Sequence, residues 1–216
     1  YGSVAVCAGE GLAGVFRDLG VDEIIEGGQT MNPSTEDILH AIEKTPAEIV
    51  FVLPNNKNII MAAEQCVRLS DKKVIIIPTR TVPQGISAML NFNPEETEEN
   101  LIAAMNEAAG NVHTAMVTYA ARDSDFDGHE IHAGEYLALL DGALLGSYSS
   151  EKTLFKELSW AFDELSPEFI TVYYGSDVAE DKANEAAETI IGCFPDAEVS
   201  VVNGGQPVYY YMISVE

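Results

Sequence analysis

Residues 4–14, VAVCAGEGLAG, place Gly9, Gly11 and Gly14 in a G-x-G-x-x-G pattern directly after an apolar run from Val4 to Ala8. In a dinucleotide-binding fold such glycines let a pyrophosphate approach the first turn of a helix. An acidic residue about 20 positions on then takes the ribose hydroxyls. Glu26 stands near that place, but the apolar segment before it is very short, and it runs straight into Gly27-Gly28-Gln29-Thr30, a second elaborate loop. The pattern therefore reads as a tight glycine turn into a helix, whose N-terminus can still hold an anion. No G-x-x-x-x-G-K-[ST] occurs, which excludes a P-loop.

Polar chemistry is concentrated in five short loops: GEGLAG, EGGQTMNPS, PNNKN, PTRTVPQG and NGGQP. The first four follow apolar runs, where an open parallel sheet carries its ligands. They supply Gly28, Gln29, Thr30, Asn32, Ser34, Asn55, Asn56, Lys57, Thr79, Arg80 and Gln84. The fifth supplies Gly205 and Gln206. Amides and hydroxyls at such an edge can bind a neutral polar group or a carboxylate, and Lys57 or Arg80 can balance an anion. These residues are expected to converge on one cleft, with Gln206 nearby or across from it. The alternative is that each loop is simply rich in turn formers.

The elements needed to position these loops follow from the hydrophobic pattern. EIVFVLP and KVIIIP lack polar alternation, as strands buried on both faces do. Helical spacing runs through Glu10–Leu19, NPSTEDILHAIEK (capped by Ser34 or Thr35), NIIMAAEQCVRL, QGISAMLNF, and PEETEENLIAAMNEAAG, opened by Pro94 and closed by Gly110. Strand and helix in alternation predict an α/β fold with a covered parallel sheet. After Asn111 the pattern changes. A longer strand, NVHTAMVTYAARD, leads into strands joined by turns at Asp127-Gly128 and Asp141-Gly142, and βαβ order then returns. The chain divides into a parallel-sheet α/β subdomain, residues 1–110, and a smaller mixed α/β subdomain, residues 111–216.

Charge is the strongest bulk signal. Thirty-five acids against 11 bases leave a net charge of −24, with 19 acids and 4 bases beyond Gly110. Such a surface repels nucleic acid and anionic membranes and steers basic proteins toward itself. No apolar run is long enough to span a bilayer, and Tyr1 opens directly onto a strand, so no leader is expected. Cys7, Cys66 and Cys193 lie far apart in apolar stretches and read as buried free thiols, so a cytoplasmic protein is expected. His129 and His132 fall on opposite sides of an extended segment. Gly134 stands where a calcium loop beginning at Asp123 would need its glutamate. No metal site is expected. The Glu95–Glu99 acids read as a solvated helix start, Tyr209, Tyr210 and Tyr211 as alternating on a strand, and Trp160 as core.

The stretches GEGLAGVFRDLGVDEIIEGGQTMNPSTEDI, LPNNKNI, PTRTVPQGISAM and NGGQPVYYYMISVE resemble the C-terminal domain of bacterial fatty acid kinase A proteins, a family related to dihydroxyacetone kinases. The resemblance covers nearly the whole chain. It implies a DegV-like fold, with GGQTMNPS in the place of a carboxylate-binding loop. It also implies a larger protein whose separate N-terminal kinase domain, with ATP and Mg, phosphorylates a fatty acid held by a DegV-type carrier subunit. On this reading the chain docks the carrier, contacts the kinase and central domains, and has no catalytic residues or cofactor of its own. Two alternatives stand beside it. One is a domain holding a small acid or lipid at its own loop edge. The other is a ketone-binding enzyme of the dihydroxyacetone-kinase kind, for which no nucleophile–base set is visible.

Overall fold

The computed structural model describes every residue except Gln29, Thr30 and Asp127, and the side chain of Phe126 is left out with them. The described chain forms two compact units, Tyr1–Val112 and His113–Glu216.

The first unit is built on four parallel strands: β1 (Gly2–Cys7), β2 (Glu23–Glu26), β3 (Ile49–Leu53) and β4 (Lys73–Ile76), in the order β2-β1-β3-β4. Five helices connect and cover them: α1 (Glu10–Asp18), α2 (Thr35–Lys44), α3 (Lys57–Leu69), α4 (Val82–Leu90) and α5 (Glu98–Gly110). The unbroken apolar runs are explained by burial on both faces. Val4, Val6, Val50 and Val52 pack with Ile38 and Ile42 of α2 and Ile59 and Ala63 of α3. Ala5, Phe51 and Leu53, which alternate with them, are equally buried. A side chain such as Ile42 contributes about 2–5 kcal/mol against truncation to Ala.

Helix boundaries follow local chemistry. Ser34 caps α2 in a reciprocal capping box: its hydroxyl accepts from the Asp37 N–H, and its own N–H donates to the Asp37 carboxylate at 2.8 Å. The far end of α2 is held by Lys72, whose ammonium donates to the carbonyls of Ile42, Glu43 and Thr45. Helix α5 corrects one expectation, because Pro94 does not open it. Pro94 lies in a turn closed by Glu96 N–H to Asn93 O, and the helix begins at Glu98 behind the Thr97 cap. A hydroxyl cap followed by two acids defines an N-terminus better than a proline four residues upstream.

The second unit carries a six-stranded mixed sheet. Its strands are β5 (His113–Tyr119), β8 (Tyr136–Leu140), β9 (Ala143–Tyr148), β10 (Phe169–Tyr174), β11 (Glu198–Asn203) and β12 (Tyr211–Val215), in the order β11-β10-β12-β5-β8-β9. Only β10 and β11 run parallel. Strands β6 (Ser124–Phe126) and β7 (His129–Ile131) form a separate ribbon. Asp141 and Gly142, both with positive φ (50° and 85°), close the β8–β9 hairpin, as a two-residue turn requires. The Asp127 half of the other expected turn lies outside the described residues. Helices α6 (Glu151–Asp163) and α7 (Glu180–Cys193) cover one sheet face, where Leu154, Phe155, Phe162 and Ile190 pack on Val117, Val172, Tyr211 and Ile213.

Three further expectations are corrected here. Trp160 is 61% exposed, because Leu154, Phe155, Leu158 and Phe162 define the buried stripe of α6 and Trp160 faces away from it, with the Lys156 ammonium 5.2 Å from its ring. Cys193, at the end of α7, is exposed, whereas Cys7 and Cys66 are buried. The three consecutive tyrosines do not share a strand: β12 starts at Tyr211, which is fully buried.

Candidate functional site

In the first unit the chain leaves β1 for one edge strand, β2, and returns on the other side as β3. The crevice beyond the carboxyl ends of β1 and β3 is therefore the topological switch point, where open α/β sheets place their ligands. Asn55 and Thr79 meet at this edge. Asn55 sits at φ 55° just past β3 and is 7% exposed, and its Nδ2 donates to the carbonyl of Val6 in β1 at 2.9 Å. Its backbone N–H donates to Thr79 Oγ1 at 3.1 Å, and the Thr79 hydroxyl donates back to Asn55 Oδ1 at 2.7 Å. Gly85 of α4 lies so close that a Cβ there would come within 2.1 Å of Asn55 Oδ1. The two residues thus clamp β1, β3, the β4 loop and α4 together, and their polar atoms are used within the protein.

The other predicted residues divide between caps and surface. Asn56 is the N-cap of α3, accepting from Asn58 N–H at 2.9 Å, and Lys57 is exposed in the first turn. Ser34 is exposed and engaged in its capping box, and Asn32 is exposed beside it. Gly28 exchanges backbone hydrogen bonds with Met31, while Gln29 and Thr30 lie outside the described residues. Arg80 is exposed. Its backbone N–H donates to Gln84 Oε1 at 2.8 Å, and both residues line a cavity of about 270 Å³ with Pro78, Asn106 and Gly110.

The glycine turn behaves as a helix entry. Gly9, at φ 108°, precedes α1 without a side-chain cap. Around Gly14 there is open space where a Cβ would sit, so no close helix–strand approach requires glycine there, unlike the third glycine of a dinucleotide fingerprint. Burial pushes the Cys7 thiol at the end of β1 up to about 12, so it stays protonated and is not a nucleophile at neutral pH.

Gly205 and Gln206 belong to the second unit, in the loop between β11 and β12. The N–H groups of Gly204 and Gly205 both donate to the Tyr174 carbonyl, and Gly205 has φ 61°. Gln206 is 3% exposed. Its Nε2 donates to Tyr173 O at 2.9 Å, and its Oε1 has no hydrogen-bond partner. His113 pairs with Asp141 at 2.6 Å, and among the described residues no group of three or more His, Cys, Asp or Glu could hold a metal ion.

Sequence reasoning passed over one arrangement in this unit. Tyr119 and Tyr136 are cross-strand partners at one end of the sheet, and Tyr210 stacks on Tyr119. The Asp141-Gly142 turn joins β8 to β9, where Tyr136 pairs with Tyr148; the Tyr119–Tyr136 pairing joins β5 to β8 and has no local signal in the sequence.

An open parallel sheet followed by a mixed sheet with two helices on one face defines a two-unit α/β protein. The family model for the C-terminal part of fatty acid kinase A-like proteins (FakA-like, C-terminal) matches residues 2–216, and the chain belongs to that family. The Bacillus subtilis (strain 168) protein YloV is 41% identical over 220 residues, covering 100% of this chain and 39% of YloV. The chain thus spans well under half the length of that relative. Among solved structures, a DegV family protein from Corynebacterium glutamicum superposes with a TM-score of 0.74 at 12% identity, covering 99% of this chain and 96% of its own, so the fold is DegV-like. The Streptococcus pneumoniae Fatty Acid Kinase B3 protein, loaded with linoleic acid, gives 0.60 at 13% identity over 85% and 76% of the two chains. The dihydroxyacetone kinase of C. freundii gives 0.63 at 12% identity, over 99% of this chain and 47% of the kinase. At these identities the structural matches speak to the fold. No described helix is long and apolar enough to cross a membrane.

Proposed function

We propose that this chain is the carrier-docking domain of a cytoplasmic fatty acid kinase. It engages a DegV-type fatty-acid-binding protein so that a kinase region elsewhere in its own chain, with ATP and Mg, phosphorylates the bound acid. The domain itself takes no nucleotide and performs no chemistry. One observation carries this reading: a member of the kinase A family shares its fold with a DegV-type protein solved with a fatty acid, yet Asn55 and Thr79, the buried polar pair at its switch point, are bonded to each other and to Val6. A surplus of 24 negative charges favours a partner with a basic face. The test is binding of a DegV-type protein to the full-length protein and to a form lacking this domain. Affinity is expected to be lost on deletion, and association to slow as salt rises from about 0.1 M to about 1 M, where the screening length falls from about 10 Å to about 3 Å. Equal binding by the deleted form would refute the reading.

A second reading is favoured by the cavity beside Arg80 and Gln84, where an exposed guanidinium could hold the carboxylate of a small acid or lipid. Native mass spectrometry of the purified protein separates the two: a stoichiometric copurifying acid, lost in Arg80→Ala, would favour the pocket.

A further inference from the structure

At one end of the six-stranded sheet, four tyrosines gather. Tyr119, the last residue of β5, faces Tyr136 of β8 across the ladder, and Tyr136 faces Tyr148 of β9. Tyr210, just before β12, stacks on Tyr119 with ring centroids 5.4 Å apart and 19° between planes, and it meets Tyr136 edge-on at 5.8 Å. The stack is not capped by the core, since Tyr119 is 46% exposed. Two carboxylates lie close by: Glu151 opens α6 just after β9, whose Tyr148 pairs with Tyr136, and Asp177 comes two residues after Gly175, whose N–H donates to the Tyr210 carbonyl at 2.8 Å. Lys182 also lies near Glu151 but is committed to Glu185 at 2.7 Å. Behind this surface the Tyr211 hydroxyl is fully buried and has no hydrogen-bond partner, within electrostatic reach of Glu151 and Tyr136.

A stacked, partly exposed aromatic pair beside two carboxylates suits a planar cation. Guanidinium fits better than ammonium, because it stacks on the ring while donating in a fork to an adjacent carboxylate. Tyrosine is also a residue in which interface energy concentrates. The unit that carries the patch has 19 acids and 4 bases, so a basic protein surface is the complementary occupant. We infer that the Tyr119–Tyr210 surface, rimmed by Glu151 and Asp177, is a docking site for an arginine side chain presented by a protein partner. This rests on the docking role proposed above and gives that role a location.

The test measures binding of the DegV-type protein to full-length protein carrying Tyr119→Leu, Tyr119→Phe or Asp177→Asn, with circular dichroism as the folding control. Tyr119→Leu is expected to weaken binding about tenfold, and Tyr119→Phe, which keeps the ring, no more than about twofold. Asp177→Asn should slow association at low salt with little change in dissociation. Binding by Tyr119→Leu equal to wild type would overturn the site while leaving docking intact. Complete absence of binding by the wild type would overturn docking instead. The site is then decided by titrating N-acetyl-arginine amide and following the Tyr119 and Tyr210 ring protons by NMR. Saturable shifts that disappear in Tyr119→Leu support it, and unshifted rings refute it.

Discussion

Replacing Asn55 by Ala should unfold much of what holds the carboxyl edge of the first sheet together. The side chain makes two hydrogen bonds, to the Val6 carbonyl at 2.9 Å and from the Thr79 hydroxyl at 2.7 Å, at a position 7% exposed. Losing two such bonds costs about 1–1.5 kcal/mol each, and somewhat more because the partners are left stranded in the interior. The backbone adds to this, since φ is 55° and a non-glycine residue without a polar side chain pays about 1 kcal/mol or more to stay left-handed. The expected total is about 4 kcal/mol, a large share of a domain's roughly 5–15 kcal/mol. Asn55→Gly loses the same bonds but not the left-handed penalty, so it should be milder by about 1 kcal/mol. Asn55→Asp keeps an acceptor for Thr79 but sets a carboxylate against the Val6 carbonyl, and it should be at least as damaging as Ala. Urea unfolding measured by far-UV circular dichroism is the assay, because the one tryptophan, Trp160, lies in the other unit and reports on that. An Ala variant within about 1 kcal/mol of wild type, or a Gly variant no milder than Ala, would refute the clamp.

Other consequences are equally direct. Lys72→Met leaves the carbonyls of Ile42, Glu43 and Thr45 without their ammonium and should cost about 1–3 kcal/mol, read from the urea midpoint; a change under a few tenths would show the lysine to be dispensable. Under native conditions iodoacetamide should label Cys193 and spare buried Cys7 and Cys66, with mass spectrometry of the peptides showing which thiol reacts; prompt labelling of Cys7 would contradict its burial. Burial raises the folded-state pKa of Glu151 above its ordinary 4.5, so the native state binds its proton more tightly and this group's stabilising effect declines as pH climbs through that window. Glu151→Gln should flatten that decline, and an unchanged pH profile would exclude the effect. Asp37 has the opposite sign: its bonds to Ser34 lower its pKa below 3.8, so its contribution is present above that value and fades as pH falls through the lower folded one. Asp37→Asn should remove that acid-side loss, as judged by urea midpoints across the acid range.

The first unit was legible because its physics is local and repetitive. Runs such as IVFVL can only be strands covered on both sides, and Ser34 followed by Asp37 announces a helix start. What escaped was decided by direction rather than by residue type. Trp160 and Leu158 lie on the same helix two positions apart, and that spacing sends one to solvent and the other to the core. Tyr209–Tyr211 look like strand residues, yet the loop from Asn203 binds the Tyr174 carbonyl twice and delays the strand to Tyr211. The polar residues at the sheet edge were identified from loop position. That Asn55 and Thr79 would satisfy each other across 24 residues is a tertiary fact, and no local pattern contains it.

This distinction matters for function. A polar side chain advertises binding only when its hydrogen-bonding capacity is left over after folding. At the edge of the first sheet Asn55, Thr79, Asn56 and Ser34 all make hydrogen bonds within the protein, whereas Asn32, Lys57 and Arg80 are exposed. In the second unit Tyr119 is 46% exposed while stacking on Tyr210. An aromatic stack left partly open to solvent suits a surface completed by another protein. For a member of the kinase A family with a DegV-like fold, that is the property the proposed docking would require.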